Sequence, residues 1–367
     1  MGSLRPNSPP PENVASNYRI YLSFCPKDPL QMSNLIECYD PRTNSFHKVT
    51  TIPGLEQNYA MKDFAMIALG DSIYVIGGRL CHKEFDTPDM SYYEVVSSVL
   101  RYNVVTDTWS KCADLITPRI NFACTVHENK IFIAGGQTTF HSVKGTSSAE
   151  FYDPALNEWK SLPNMSTLRY KCVAVSWRGK IHVVGGFAEK ENTSNDPQQG
   201  QIFAMERSSA EVFDTENNKW DLDARMWELD IPPNQIVPIG DKLYSSGDCY
   251  KAWKGHIEVY DAKLKIWSDV DGSNFDYLLS PSNSCEASDD DDENSGRLVY
   301  LTMAPIGNYL CFLAGYNMPG AASGMRSEVH VFNTSSNENQ WRSLEPIYDE
   351  GSEKLLCCHC CVLQQAS

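Results

Sequence analysis

Two arginines, Arg119 and Arg169, stand 50 residues apart at matching points, each shortly ahead of an apolar run. A guanidinium presents a planar fork of donors, so such a pair can grip a carboxylate or a phosphate. Both can equally bond neighbouring loop carboxylates or carbonyls and only brace their surroundings. Arg79 follows directly on Gly77-Gly78 and offers the same fork. The stretch Asp248-Cys249-Tyr250-Lys251-Ala252-Trp253-Lys254 is rich in aromatic and charged groups for its length. Tyr250 and Trp253 could line a small-molecule or peptide pocket, or form a turn that covers the layer beneath. Asp248 and Tyr316 stand where related segments carry a second glycine, and their side chains are expected to project beside that pocket, where they could transfer protons.

His82, His141 and His256 fall near these segments, but no Ser/His/Asp order and no phosphate-cradling loop places them in a mechanism. The run Cys357-Cys358-His359-Cys360-Cys361 lacks zinc spacing. On one continuous strand Cys357, His359 and Cys361 would face one way and Cys358 and Cys360 the other, so the five could not share a tetrahedral ion. The acidic run Asp289 to Glu293 lacks calcium-loop spacing and reads as part of a solvated, mobile insertion at 271–296. No metal and no cofactor is expected.

The elements that must position these residues are set by a chain of 367 residues, 42% hydrophobic and 21% charged, with a formal charge of −16. Without a basic block there is no electrostatic footprint for a phosphate backbone, which excludes nucleic acid and anionic membrane surfaces as partners. Residues 1–17 are polar and read as a disordered tail, neither signal peptide nor targeting helix. No window reaches the ~18 apolar residues of a membrane span. Thirteen cysteines, an odd number spread through apolar runs, read as reduced buried thiols, which implies a cytoplasmic or nuclear protein.

An aromatic followed by Asp or Asn closes an apolar run six times, and a second aromatic follows at a fixed interval. The pairs are Tyr39 with Phe46, Tyr102 with Trp109, Tyr152 with Trp159, Phe213 with Trp220, Tyr260 with Trp267 and Phe332 with Trp341. From the acid or amide to the second aromatic the gap is 6 residues in five copies and 8 in the last. Upstream lie alternating apolar runs, three of which end in a double glycine, at Gly77-Gly78, Gly135-Gly136 and Gly185-Gly186. Each copy of about fifty residues reads as a four-stranded antiparallel unit.

On these residues the chain resembles kelch-repeat β-propellers, from Tyr18 to Val362. The resemblance implies an all-β, six-bladed kelch β-propeller over 18–363, with a short tail at 364–367. The first copy lacks its innermost strand and Lys354 to Leu363 is left over, so the C-terminal strand is expected to close the ring and remove its open edges. In such a propeller the long connections 79–94, 137–147, 187–208, 248–255 and 316–325 emerge on one face, around the mouth of a central channel. Arg79, Arg119, Arg169, Asp248, Tyr250, Trp253 and Tyr316 are the partner-binding residues expected there, the two repeated arginines by analogy with kelch domains that hold acidic or phosphorylated partners.

The wording of segments such as Pro118-Arg119-Ile120-Asn121-Phe122-Ala123 resembles the plant F-box/kelch proteins, in which the propeller captures a protein for ubiquitination. Seventeen polar residues ahead of the first strand are too few for an F-box helical module, so the resemblance implies a free-standing, monomeric protein-binding or adaptor propeller. The alternative is an enzyme of plant specialised metabolism, of lyase, isomerase or cyclase type, acting on a small plant metabolite at the channel mouth. It resembles nitrile-specifier proteins but lacks their iron motif, since no histidine has Asp four residues before it. No catalytic residue can be named.

Overall fold

The computed structural model describes residues 17–26, 34–56, 58–82, 94–140, 142, 144–189, 207–227, 231–248, 257–270, 297–318, 324–335, 341–349 and 353–364. Among these described residues every named element is a strand, and the strands pair into six antiparallel sheets of four or more, with two small ribbons beside them. Tyr250, Trp253, His141 and His256, most of the expected tails and the acidic stretch 271–296 lie outside the described residues.

The hairpin joining the third and fourth strands explains the repeated spacing. Asp40, Asn103, Asp153, Asp214 and Asp261 each accept a backbone N–H from two or three residues on, which ties the turn. Four residues after each of them the chain turns left-handed, at Asn44, Asp107, Asn157, Asn218 and Lys265 with φ between 47° and 56°. That turn sets the register. The six aromatic pairs then stand directly opposite one another across the hairpins. Their ring centroids are 4.8–5.2 Å apart in tilted contact, a geometry worth about 0.5–1.5 kcal/mol per pair beyond burial. Several indoles reach beyond their own hairpin: Trp159 donates to the Ala113 carbonyl at 2.9 Å, Trp220 to Pro163 at 2.8 Å and Trp267 to Met226 at 2.7 Å.

The double glycines lie where neighbouring sheets come closest. Gly77 and Gly135 have φ of 59° and 69°, and a Cβ on either would sit 2.8 or 2.6 Å from the backbone oxygen of Arg119 or Arg169. The next glycine of each pair donates its N–H to that same oxygen, Gly78 at 2.8 Å and Gly136 at 2.7 Å. Only glycine combines that backbone angle with that approach.

Five of these sheets begin with an inner strand, the first takes its inner strand from the C-terminus, and the inner strands touch in cyclic order. Ala65–Leu69 contacts Ala123–His127, which contacts Val173–Trp177, then Ile236–Ile239, then Arg297–Ile306. Arg297–Ile306 and Ala65–Leu69 both contact the C-terminal strand Cys361–Gln364. Apolar clusters fill the gaps between sheets, one of them from Ile36 and Cys38 of the first sheet to Ile73 and Val75 of the second. This all-β arrangement of antiparallel sheets around a channel is that of a kelch β-propeller.

The strand Tyr18–Pro26 pairs with Leu35–Asp40 on one side and with the C-terminus on the other. The C-terminal strand differs from the expected single run Lys354 to Leu363. It is two pieces, Lys354–Leu356 and Cys361–Gln364. Tyr21 is opposite Cys361 and Phe24 opposite Leu356, so four residues, Cys357 to Cys360, face the two residues Leu22 and Ser23. Such a bulge breaks the alternation of side chains and re-aims them. Cys357 and Cys361 are buried in the core toward the second sheet, Cys360 packs on the core toward the sixth, and His359 reaches the channel. The facing pattern expected for a continuous strand therefore does not hold.

Candidate functional site

Arg119 and Arg169 are almost wholly buried, at 1% and 0% exposure, and they repeat one arrangement. Arg119 donates through Nη1 to the Gly135 and Ser148 carbonyls at 2.8 and 3.1 Å, and through Nη2 to Ser148 Oγ at 2.9 Å. Arg169 donates through Nη1 to the Gly185 and Ser209 carbonyls at 3.0 and 3.1 Å, and through Nη2 to Ser209 Oγ at 2.5 Å. Arg119 also pairs with the buried Glu150 at 3.0 Å, while Arg169 reaches Thr167 Oγ1, which itself donates to Glu211. Burial lowers the pKa of the Arg119 guanidinium and Glu150 opposes that. Each fork thus ties the end of one sheet's second strand to the start of its third, and neither is presented to solvent.

Elsewhere amides stitch the sheets in the same region. Asn34 donates to the Met61 carbonyl at 2.7 Å and accepts the Met61 N–H at 2.6 Å. Gln235 does the same to Met303, at 2.7 and 2.8 Å. An amide used this way imitates one rung of a β-ladder.

The remaining expected residues are dispersed. Arg79, half-buried, donates to Asp63 at 2.5 Å and lies 4.6 Å from the Phe140 ring centroid, joining the second sheet to a loop of the third. Asp248 is buried and bridges to Pro233. Tyr316, expected to project toward the mouth, is instead 2% exposed inside the sixth sheet, opposite Arg326, whose guanidinium is 4.9 Å from its ring. Burial raises the Tyr316 pKa. His82 packs its ring edge-on against Tyr59 at 5.1 Å. Arg79, Arg119, Arg169, Asp248 and Tyr316 do not share one pocket, and none of them is among the residues that line the central cavity.

That cavity, of about 720 Å³, lies between the inner strands. Phe64, Met66, Phe122 and Val173 contribute apolar wall, and Asp63, Asn121, Lys171, Asn234 and His359 contribute polar groups. Asp63, Asn121 and Lys171 occupy equivalent positions, two residues before their inner strands, with left-handed φ of 56°, 54° and 53°. Two of them are joined, since the Lys171 N–H donates to the Asn121 carbonyl at 2.7 Å, and the Asn121 side chain donates to Gln137 Oε1 at 3.0 Å. His359 arrives on the C-terminal bulge, open to the cavity yet surrounded by protein. That desolvation lowers its pKa, against a hydrogen bond to the Asn234 backbone that favours the charged form.

These polar groups were missed by sequence reasoning. For Asp63, Asn121 and Lys171 a signal existed: a polar residue recurs at one place in each repeat, before an apolar strand. For His359 there was none, because the bulge that aims it exists only in the pairing register.

Among the described residues no group of three His, Cys, Asp or Glu is placed to hold a metal ion. Burial pushes the thiols up, Cys124 to about 12 and Cys172 and Cys360 to about 11, so they stand protonated and poorly nucleophilic at neutral pH.

The sheets, hairpins and glycine contacts define a kelch-type propeller. Comparison with known proteins agrees: the Kelch motif family model matches residues 60–116 and 118–166. An F-box/kelch-repeat protein of Arabidopsis thaliana is 29% identical over 235 residues, 63% of this chain and 56% of the relative. F-box/kelch-repeat protein SKIP30 of the same plant is 27% identical over 252 residues, 67% of this chain and 63% of the relative. Kelch-like protein 23 of Homo sapiens is 30% identical over 186 residues, 51% of this chain and 27% of the relative. The chain is a kelch-repeat protein resembling the plant F-box/kelch-repeat proteins, and it spans somewhat over half the length of the two plant relatives.

Proposed function

We propose that this chain is a protein-interaction module, a closed ring of six blades that holds its partner on the face where the channel opens. The observation that carries this reading is the inequality of the two faces. One is made of tight, nearly identical four-residue turns such as 41–44 and 154–157. The other carries the segments that lead into the inner strands, with the polar residues Asp63, Asn121 and Lys171, which differ in type from repeat to repeat. Variable groups on a rigid scaffold are what recognition uses. The repeated arginines supply the rigidity rather than the recognition. A link to ubiquitination or to the regulation of plant metabolism rests on the resemblance to F-box/kelch-repeat proteins alone.

A photo-crosslinking residue placed at Lys144, exposed on the loop face, tests this against one at Leu156, exposed in an opposite-face turn. In cells, discrete protein adducts are expected from Lys144 and not from Leu156. Adducts from Leu156 alone, or from neither position, would overturn the reading.

A further inference from the structure

The central cavity has its own chemistry, independent of any partner on the loop face. The chain is strongly acidic at −16, yet Asp63 is the one carboxylate among the described residues lining the cavity, and Arg79 already binds it. Against it stand two cations and an imidazole: Lys171, Arg207 and His359. Lys171 makes no side-chain hydrogen bond or ion pair among the described residues and is exposed. Arg207 stacks 5.1 Å from the Phe187 ring centroid, and its Nε is enclosed without a hydrogen-bond partner. Beneath these groups the wall is apolar, with Phe64, Met66 and Phe122 facing one space. About 720 Å³ is ample for a small organic molecule.

We propose that the channel is a binding site for an amphipathic organic anion, whose carboxylate meets Lys171, Arg207 and His359 and whose aromatic or aliphatic body lies against Phe64, Met66 and Phe122. A bare inorganic anion would leave the apolar wall unused, and a neutral hydrocarbon would leave the cations unmatched.

Calorimetric titration of the intact chain with 4-biphenylcarboxylate, 4-biphenylmethanol and inorganic phosphate tests this. The carboxylate should bind once per chain, and the alcohol and phosphate at least about tenfold more weakly, as expected for loss of one charge-assisted contact or of the apolar body. Lys171→Asn copies the residue at the equivalent place in the preceding sheet, tolerates the left-handed backbone and lies on the surface, so it keeps the fold. It should weaken the carboxylate about fivefold or more and leave the alcohol unchanged. Arg207→Met should act in the same direction. The proposal fails if carboxylate and alcohol bind alike, if phosphate binds as tightly as the carboxylate, if Lys171→Asn changes neither, or if the carboxylate does not bind at about 1 mM.

Discussion

Arginine in a kelch repeat invites a binding role, and here the contacts of each fork decide the matter. Arg119 meets two carbonyls, one hydroxyl and one carboxylate, all inside the blade. Arg119→Met would strand the buried Glu150, and breaking a buried pair from one side costs about 3–5 kcal/mol. A drop of that size in urea-denaturation stability is the expected result, and Arg119→Glu should not fold at all. Full stability in Arg119→Met would return the residue to the list of ligand contacts. His182 makes a second prediction. Burial lowers its pKa from 6.5 to about 4, against a hydrogen bond to the Trp177 backbone that favours the charged form, so it folds neutral. The unfolded chain binds this proton more readily, hence the contribution is intact above pH 6.5 and is lost as pH falls toward 4. By linkage it is worth at most about 3 kcal/mol. Substituting His182→Phe should flatten the acid limb of a stability-versus-pH curve between those values, and an unchanged limb would contradict the assignment.

At the scale of the element, the hairpins were legible in the sequence almost to the residue. The acid or amide, the left-handed turn residue and the facing aromatic all act locally, and a fixed gap of six records them. The double glycines were legible as special positions, although their reason, the approach of another sheet's backbone, is not local. The cavity was not legible, because it depends on which residues distant strands bring together. Two glycines isolate the contact term experimentally. Gly135 and Gly179 both have positive φ, 69° and 73°, but a Cβ on Gly135 would meet a backbone oxygen at 2.6 Å and one on Gly179 would meet nothing within 4 Å. Gly135→Ala should therefore lower the unfolding midpoint well beyond Gly179→Ala, which bears only the conformational cost of about 1 kcal/mol. The C-terminal strand Lys354–Leu356 carries its own staple. Lys354 Nζ lies 2.6 and 2.7 Å from the Glu37 oxygens and 3.1 Å from Asp349. Lys354→Met alone should destabilise by about 3–5 kcal/mol, and the pair Lys354→Met with Glu37→Gln by less than the sum of the two, as coupled buried charges require.

For the whole molecule the central claim is closure: the last strand completes the first sheet, and its bulge delivers His359 to the channel. Both the stability of the ring and the proposed anion site depend on it. Chain termini ordinarily fray and exchange their amides quickly. A ring-closing strand should not. Hydrogen–deuterium exchange on the intact chain reads this without any substitution. Closure predicts that amides of Cys361–Gln364, and those of Tyr18–Pro26 opposite them, are protected to the same degree as the inner strand Ala65–Leu69. Rapid exchange of both terminal strands, with Ala65–Leu69 still protected, would show an open array and contradict the account.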